Sequence, residues 1–334
     1  MQKAATVILN YNGEEMLRKF LPSAVRHSLY PLIVADNASD DGSLGYLKSG
    51  YPQIRLIELK ENSGYVGGYN QALNQIQGEF EYYILLNSDI EVSPEWDDVL
   101  VKWLERHSEF AALQPKILSY QHLEYFDYAG AGGGFIDSLG YPYCRGRIFN
   151  SIEKDTNQYD DHIEVDWASG ACMAVRASCF HSLGGFDDRF FAHMEEIDIC
   201  WRFQRSGYKI GYIGNVEIRH VGGGTLSRTN PLKTYLNFRN NLLMLHNNLE
   251  KKRFLITYFI RMGLDFLAAL SFLLNGKIAD SKEVFRAHMA FYKFKNGKQN
   301  FPLAPILPKK EKKSERKSIL WDYYIRRKRK YSDL

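Results

Sequence analysis

Short apolar runs and helix-spaced repeats alternate over residues 1–120. The runs lie at 5–9, 32–35, 54–59 and 82–86, the first rich in β-branched side chains. Between them Met16, Leu17, Phe20, Leu21 and Ala24 recur at helical spacing over 14–27, and helices are predicted over 43–48, 67–76 and 94–107. Apolar strands separated by helices indicate βαβ units. The expected class is therefore α/β, with a mainly parallel sheet flanked by helices on both faces. Such sheets bind ligands beyond the carboxyl ends of their strands. Polar residues collect at those ends: Asn10-Tyr11-Asn12, Asp36-Asn37, Glu61-Asn62-Ser63-Gly64 and Asn87-Ser88-Asp89.

The pattern then changes. Residues 126–165, rich in Gly, Tyr and Asp, predict hairpins and loops; 167–175 predicts a buried strand, 194–206 a helix and 209–213 a strand. From Pro231 to about residue 296 the spacing is helical. Segment 302–318 reads as a Pro- and Lys-rich linker, and 319–331 mixes aromatics with Arg326-Arg327-Lys328-Arg329-Lys330. These shifts divide the chain into a working domain over 1–249, a helical extension over 250–300 and a basic tail over 301–334.

Residues 254–275 are long enough for a hydrocarbon layer of ~30 Å. Arg261 and Asp265 lie inside that stretch, however, and each costs roughly 2.5–3.5 kcal/mol at mid-membrane. With Thr257 they form one polar stripe on an apolar helix, a pattern suited to lying in a membrane interface rather than crossing it. Packing on the working domain is the alternative.

Composition sharpens this picture. With 45% hydrophobic and 25% charged residues the chain is globular, which excludes wholesale disorder, collagen and small disulfide scaffolds. The net charge of +4 hides an asymmetry: 21 of the 43 Lys/Arg but only 8 of the 39 Asp/Glu lie in 250–334, giving +13 there against −9 before it. A basic C-terminal region of this kind is suited to an anionic surface. Cys144, Cys172, Cys179 and Cys200 form no C-x-x-C pair and no zinc spacing, and suit a reducing compartment. The first residues read as a strand rather than a secretory leader, so a cytoplasmic location is expected.

Each polar cluster has a structural and a chemical reading. Asp36 sits too early to cap the following helix and can accept a hydrogen bond from a base or ribose, whereas Asp40 and Asp41 suit capping. Asn62–Asn70, with Gly64, Gly67 and Gly68, is a strand-to-helix junction where backbone can approach a phosphate; otherwise it is a tight turn. Asp89, just past a buried strand, suits a divalent cation that takes its remaining ligands from diphosphate and water. Glu195, Glu196 and Asp198 open a helix with a buried look. Acids there complement the helix dipole, but a semi-buried carboxylate among other acids can also act as a general base. His220 leads into a glycine loop and is either structural or a metal or phosphate ligand.

Taken in order, these segments resemble glycosyltransferase family 2, the inverting enzymes of the GT-A fold, over residues 6–245. Thr6-Val7-Ile8-Leu9-Asn10-Tyr11-Asn12 looks like the family's first strand and Asp36-Asn37-Ala38-Ser39 like its nucleoside motif. Asn62–Asn70 looks like its glycine segment, Asn87-Ser88-Asp89 like its metal motif, and Gly184-Gly185-Phe186-Asp187 with Glu195-Glu196-Ile197-Asp198 like its acid motif. Within the family the style is similar to bacterial rhamnosyltransferase-like enzymes of surface polysaccharide assembly. The chain departs at Asn87, where the metal motif usually begins with Asp.

The resemblance implies a Rossmann-like GT-A sheet with a C-terminal helical extension, and a role for each matching residue. Asn10, Tyr11, Asp36, Asn62, Gly67, Asn87 and Ser88 would bind the nucleotide sugar. Asp89 and His220 would face a divalent cation, Mg2+ or Mn2+, and the diphosphate. Glu196 would be the catalytic base, supported by Glu195. Trp167, Gly170, Ala171 and Asp198 would line the sugar and acceptor cleft. The implied donor is of dTDP-rhamnose or UDP-hexose type. The implied acceptor is a glycan or lipid-linked glycan, met at the inner face of an anionic membrane through the C-terminal region. Nucleic acid is not an expected partner. The competing readings are a nucleotidyltransferase on a similar sheet and a nucleic-acid-binding protein using the basic tail.

Overall fold

The computed structural model describes residues 1–222, 230–297 and 316–334. Residues 302–315 of the linker predicted over 302–318 and the glycines after Gly222 lie outside the described residues. The first part alternates as predicted: β1 (Gln2–Asn10), α1 (Glu14–His27), β2 (Leu32–Asp36), α2 (Ser43–Gly50), β3 (Arg55–Glu58), α3 (Gly64–Gln75), β4 (Phe80–Asn87), β5 (Ile90–Val92), α4 (Trp96–Arg106) and β6 (Phe110–Ser119). A small antiparallel sheet follows: β7 (Gly134–Ile136), β8 (Pro142–Cys144), β9 (Arg147–Ile148) and β10 (Ser151–Ile152). The chain then returns through β11 (His162–Val165), β12 (Cys172–Arg176), α5 (Ala177–Ser182), α6 (Glu195–Arg205) and β13 (Lys209–His220). It continues into the helices α7 (Pro231–Asn248), α8 (Lys251–Leu274) and α9 (Ile278–Phe294).

The main sheet has the order β11-β13-β6-β12-β4-β1-β2-β3, with β5 paired to β13. Strands β3, β2, β1 and β4 are mutually parallel, as are β6 and β13; antiparallel β12 joins the two groups. Side chains of β1 alternate between two cores. Ala4 and Ile8 pack with Leu17 and Leu21 of α1 and Leu100 and Leu104 of α4, while Ala5 and Val7 pack with the α3, α6 and α7 side. Both faces are dry, which is why the strands read as unbroken apolar runs.

Two strands differ from the expectation. The strand predicted from residue 167 begins at Cys172, because Trp167 turns aside to donate its indole N–H to the Phe135 carbonyl (3.0 Å). The strand predicted to stop at Ile213 runs on to His220 through a register shift after Ile213, where Gly214 interrupts the apolar pattern.

At the C-terminus the described part of the basic tail, 316–334, lies on the small sheet. The Ile319 amide donates to Asp137 Oδ2 (2.8 Å), the Tyr331 amide donates to Glu153 Oε1 (2.9 Å), and the Tyr331 ring stacks on Phe135.

Candidate active site

In-register pairing sets Asn10 beside Asp36 and Leu9 beside Asn87, so three parallel strands end at one rim. Asn10 is fully buried and donates Nδ2 to Asp36 Oδ2 (2.8 Å) and Ser39 Oγ (3.1 Å); the Ser39 amide donates to Asp36 Oδ1 (2.8 Å). Asn10 is a strut that aims Asp36 through its Nδ2, and its buried Oδ1 has no partner among the described residues. Tyr11, next along the chain, is exposed at the rim. Asn37 donates to Asn62 Oδ1 (3.0 Å) and to the Gly64 carbonyl (3.1 Å), tying the Asp36 loop to the start of α3. Gly67 is buried against Ser63. The glycine of this segment that cannot be replaced cheaply is Gly64, whose φ is 73° and where a Cβ would lie 2.6 Å from the Phe191 carbonyl oxygen.

The second corner is built around His220. Its Nδ1 contacts Asp127 Oδ1 (2.9 Å) and its Nε2 contacts Asp89 Oδ1 (3.2 Å), with Asn87 Nδ2 at 3.5 Å. Burial alone would lower the imidazole pKa, but the two carboxylates raise it to about 10. Burial likewise works against ionisation of Asp89, yet His220 and the Gly222 amide (3.2 Å) hold its pKa below the usual carboxylate range. Asp127 was not anticipated. It lies 93 residues from its partner, and no local pattern marks it.

No cluster of three or more His, Cys, Asp or Glu forms a self-sufficient metal site among the described residues. Asp89 supplies a carboxylate oxygen; His220 Nε2, protonated between Asp89 and Asp127 with a pKa of about 10, becomes a ligand only when a cation displaces that proton. This fits a cation that completes its shell from a diphosphate.

The third corner carries the acids. A Cβ added to Gly170 would lie 3.7 Å from Glu196 Cβ and 2.9 Å from the Tyr65 hydroxyl, which donates to the Gly170 carbonyl (2.7 Å). The adjacent Ala171 carbonyl accepts from the Asn87 amide (3.0 Å), so this corner joins the same rim. Burial pushes Glu196 up to about 7 and, with the Glu196 charge beside it, pushes Glu195 well above the carboxylate range. One carboxylate oxygen of each is enclosed without a hydrogen-bond partner among the described residues, and so is His193 Nε2. Burial lowers His193 to about 4, leaving a neutral imidazole at the site.

The segment entering α6 is strained: Phe191, His193 and Met194 have φ of 65°, 70° and 72°. Such backbone persists only when its surroundings over-determine it. Asn240 of α7 does so, donating to the carbonyls of Phe190 (2.9 Å), Ala192 (2.8 Å) and His193 (2.7 Å). Arg239 adds bonds to the carbonyls of Arg189 and Phe190. Sequence reasoning missed this pair, because polar residues on an otherwise buried helix carry no address.

Three cleft assignments change. Asp198 is fully buried, bonded to Arg202 Nε (2.7 Å), Asn247 and Asn248, and locks α6 to α7. Trp167 is 4% exposed and packs against Gly134, joining the main sheet to the small one. Of the four expected cleft residues, Gly170 remains beside Glu196, while Ala171 is buried in the core with α1 and α4.

A family model described as glycosyl transferase family 2 matches residues 6–178. The chain belongs to glycosyl transferase family 2. The transferase is 28% identical over 230 residues to an N-acetylglucosaminyl-diphospho-decaprenol L-rhamnosyltransferase of Mycobacterium tuberculosis, covering 64% of this chain and 74% of that one. It is 26% identical over 219 residues to the rhamnosyltransferase WbbL of Escherichia coli, covering 62% and 79%. Its fold is similar to the mannosyltransferase PcManGT of Pyrobaculum calidifontis, solved in complex with GDP-Man and Mn2+, at a TM-score of 0.52 and 14% identity over 89% of this chain and 77% of that one. The chain is a glycosyltransferase with the GT-A fold, and the relatives it matches include rhamnosyltransferases.

Proposed function

We propose that the transferase moves a sugar from a nucleoside diphosphate donor, of dTDP-rhamnose or UDP-hexose type, to a hydroxyl of a glycan or lipid-linked glycan. The reaction inverts the anomeric carbon and serves surface polysaccharide synthesis at the cytoplasmic face of a membrane. The observation that carries this reading is the enclosed Glu196 carboxylate beside Gly170, with one oxygen lacking a partner among the described residues, on the rim that holds Asp89 and His220. The rhamnosyltransferase relatives support the donor class, and the diphospho-decaprenol in one relative's name supports a lipid-linked acceptor.

Glu196 takes the proton of the attacking acceptor hydroxyl. With a pKa of about 7 it is poised to hold that proton near neutral pH. Glu195, kept neutral by burial, adds no second negative charge beside the base. Asp36 receives the nucleoside, and Tyr11 covers it from the rim. Asp89 and His220 would hold Mg2+ or Mn2+; when bound, the cation neutralises the departing diphosphate. The Mn2+ in the complex of the mannosyltransferase neighbour agrees with that assignment. One base suffices, because the leaving group is already a good one; glycoside hydrolysis needs two carboxylates.

A thermal-shift panel of dTDP-rhamnose, UDP-glucose and GDP-mannose with Mn2+ or Mg2+ identifies the donor, since a bound ligand stabilises the folded chain by mass action. The expected result is a metal-dependent rise with the dTDP or UDP sugar, and release of nucleoside diphosphate when acceptor is added. Release of pyrophosphate instead would mark a nucleotidyltransferase.

A further inference from the structure

Helix α8 is amphipathic in the reverse sense. Its polar stripe, Thr257, Arg261 and Asp265, is buried against the catalytic domain and α9. Arg261 bonds the Leu139 carbonyl (3.2 Å) and Asn241 and lies over the Tyr141 ring, while Asp265 takes His288 (3.0 Å) and the Tyr141 hydroxyl (3.2 Å). The opposite face carries Phe259, Phe266, Leu267, Leu270, Leu273 and others, all exposed. Between Arg253 and Asn275 every charged residue of α8 is buried. Helix α9 extends the apolar face with Phe285, Met289 and Tyr292. A water-soluble face does not have this composition, and patches beyond a few hundred Å2 mark interaction sites.

Two features identify the occupant. The ends of the hairpin and the turns of α9 carry exposed Lys251, Lys252, Lys277, Lys282 and Lys293. The strap 316–334 reaches the same loop that α8 grips, since Ile319 bonds Asp137 while Arg261 bonds Leu139. It presents Trp321 and Tyr324 to solvent beside Arg326–Lys330. An apolar plane with aromatics and cations at its border is the chemistry of an anionic lipid surface. A second copy seated on this face would set one basic border against another. The segment 298–315 carries five lysines against two glutamates around the apolar run 301–308, so it has the same sign of charge as the border. Crossing is disfavoured because the buried ion pair is bonded to the catalytic domain, which would have to follow it into the bilayer.

We infer that the outward face of the α8–α9 hairpin seats in one leaflet of an anionic membrane, while its polar stripe stays locked to the catalytic domain. The inference deepens the proposed membrane setting and is measured separately from donor binding. Full-length protein is co-floated with vesicles of phosphatidylglycerol and phosphatidylethanolamine, and with phosphatidylcholine alone. Binding is expected to the anionic vesicles and much less to the neutral ones. In the double variant Phe259→Glu/Leu267→Glu, with both positions more than half exposed, affinity should fall roughly tenfold or more. The nucleoside-diphosphate thermal shift should stay unchanged, which also reports that the variant is folded. Flotation of the variant equal to that of the parent would overturn the inference. So would a parent that ignores vesicles, whether it runs as a dimer the variant dissolves or as a monomer whose melting temperature the variant lowers through loss of a cover by 298–315. Failure of the donor shift alone would count against the proposed chemistry and leave the leaflet face standing.

Discussion

At the scale of single residues, the strongest prediction concerns Glu196. General-base assistance is worth about 10²–10⁴-fold, so Glu196→Gln should lower kcat by that factor while the donor thermal shift persists. Rate should follow the ionised base: kcat/KM rises with pH and levels off above about 7. The same burial has a stability consequence of opposite sense. A carboxyl whose folded pKa lies above its unfolded value favours the fold when protonated, and that advantage is lost as pH rises from about 4.5 through about 7. Glu196→Gln should therefore raise Tm at pH 8 and leave it nearly unchanged at pH 4.5, a test by calorimetry in two buffers. Asp89→Ala should weaken donor binding in Mn2+ and abolish the difference between titrations with and without EDTA. Asp36, Asp89, Glu196 and His220 could be named from the chain because each ends a strand or opens a helix. Asp127 could not, since its role exists only once His220 is placed beside it. Asp198 was misplaced for a related reason: a polar residue near a motif looks the same whether it faces ligand or braces a neighbour.

At the scale of elements, α7 braces the turn that carries the proposed base. Arg239 and Asn240 hold the carbonyls of the strained turn that delivers Glu195 and Glu196. Asn240→Ala removes donors from three of them, and a displacement of about 1 Å at a catalytic group can cost on the order of 10²-fold in rate. The expected signature is a lower kcat with the donor KM little changed and a modest fall in Tm; a change in KM alone would place Asn240 in donor binding instead. The helices and parallel strands were legible because apolar periodicity is a property of the element itself. The start of β12 and the extension of β13 were not. Trp167 leaves its strand for a carbonyl on the small sheet, and Gly214 hides a strand that bulges and continues.

At the scale of the whole molecule, the charge asymmetry was legible but its architecture was not. The basic C-terminus is not simply a solvated tail: residues 316–334 are strapped to the small sheet, and Arg329 lies 3.8 Å over the Tyr323 ring. The strap fills two acceptors, Asp137 and Glu153, with backbone donors from Ile319 and Tyr331. Hydrogen bonds to charged groups contribute about 1.5–3 kcal/mol each, so a chain ending at residue 315 should melt on the order of 5 °C lower. It should also lose the five consecutive cations Arg326–Lys330, each worth about 1 kcal/mol near an anionic surface. Truncation and the hairpin substitutions then separate two contributions. The truncated chain should still float with anionic vesicles, with weaker affinity and less sensitivity to salt, because the apolar face of α8 remains. The hairpin variant should keep its salt sensitivity and lose most of its affinity. If truncation alone abolished flotation at low salt, the strap rather than the hairpin would be the membrane anchor, and the exposed apolar face of α8 would need another partner.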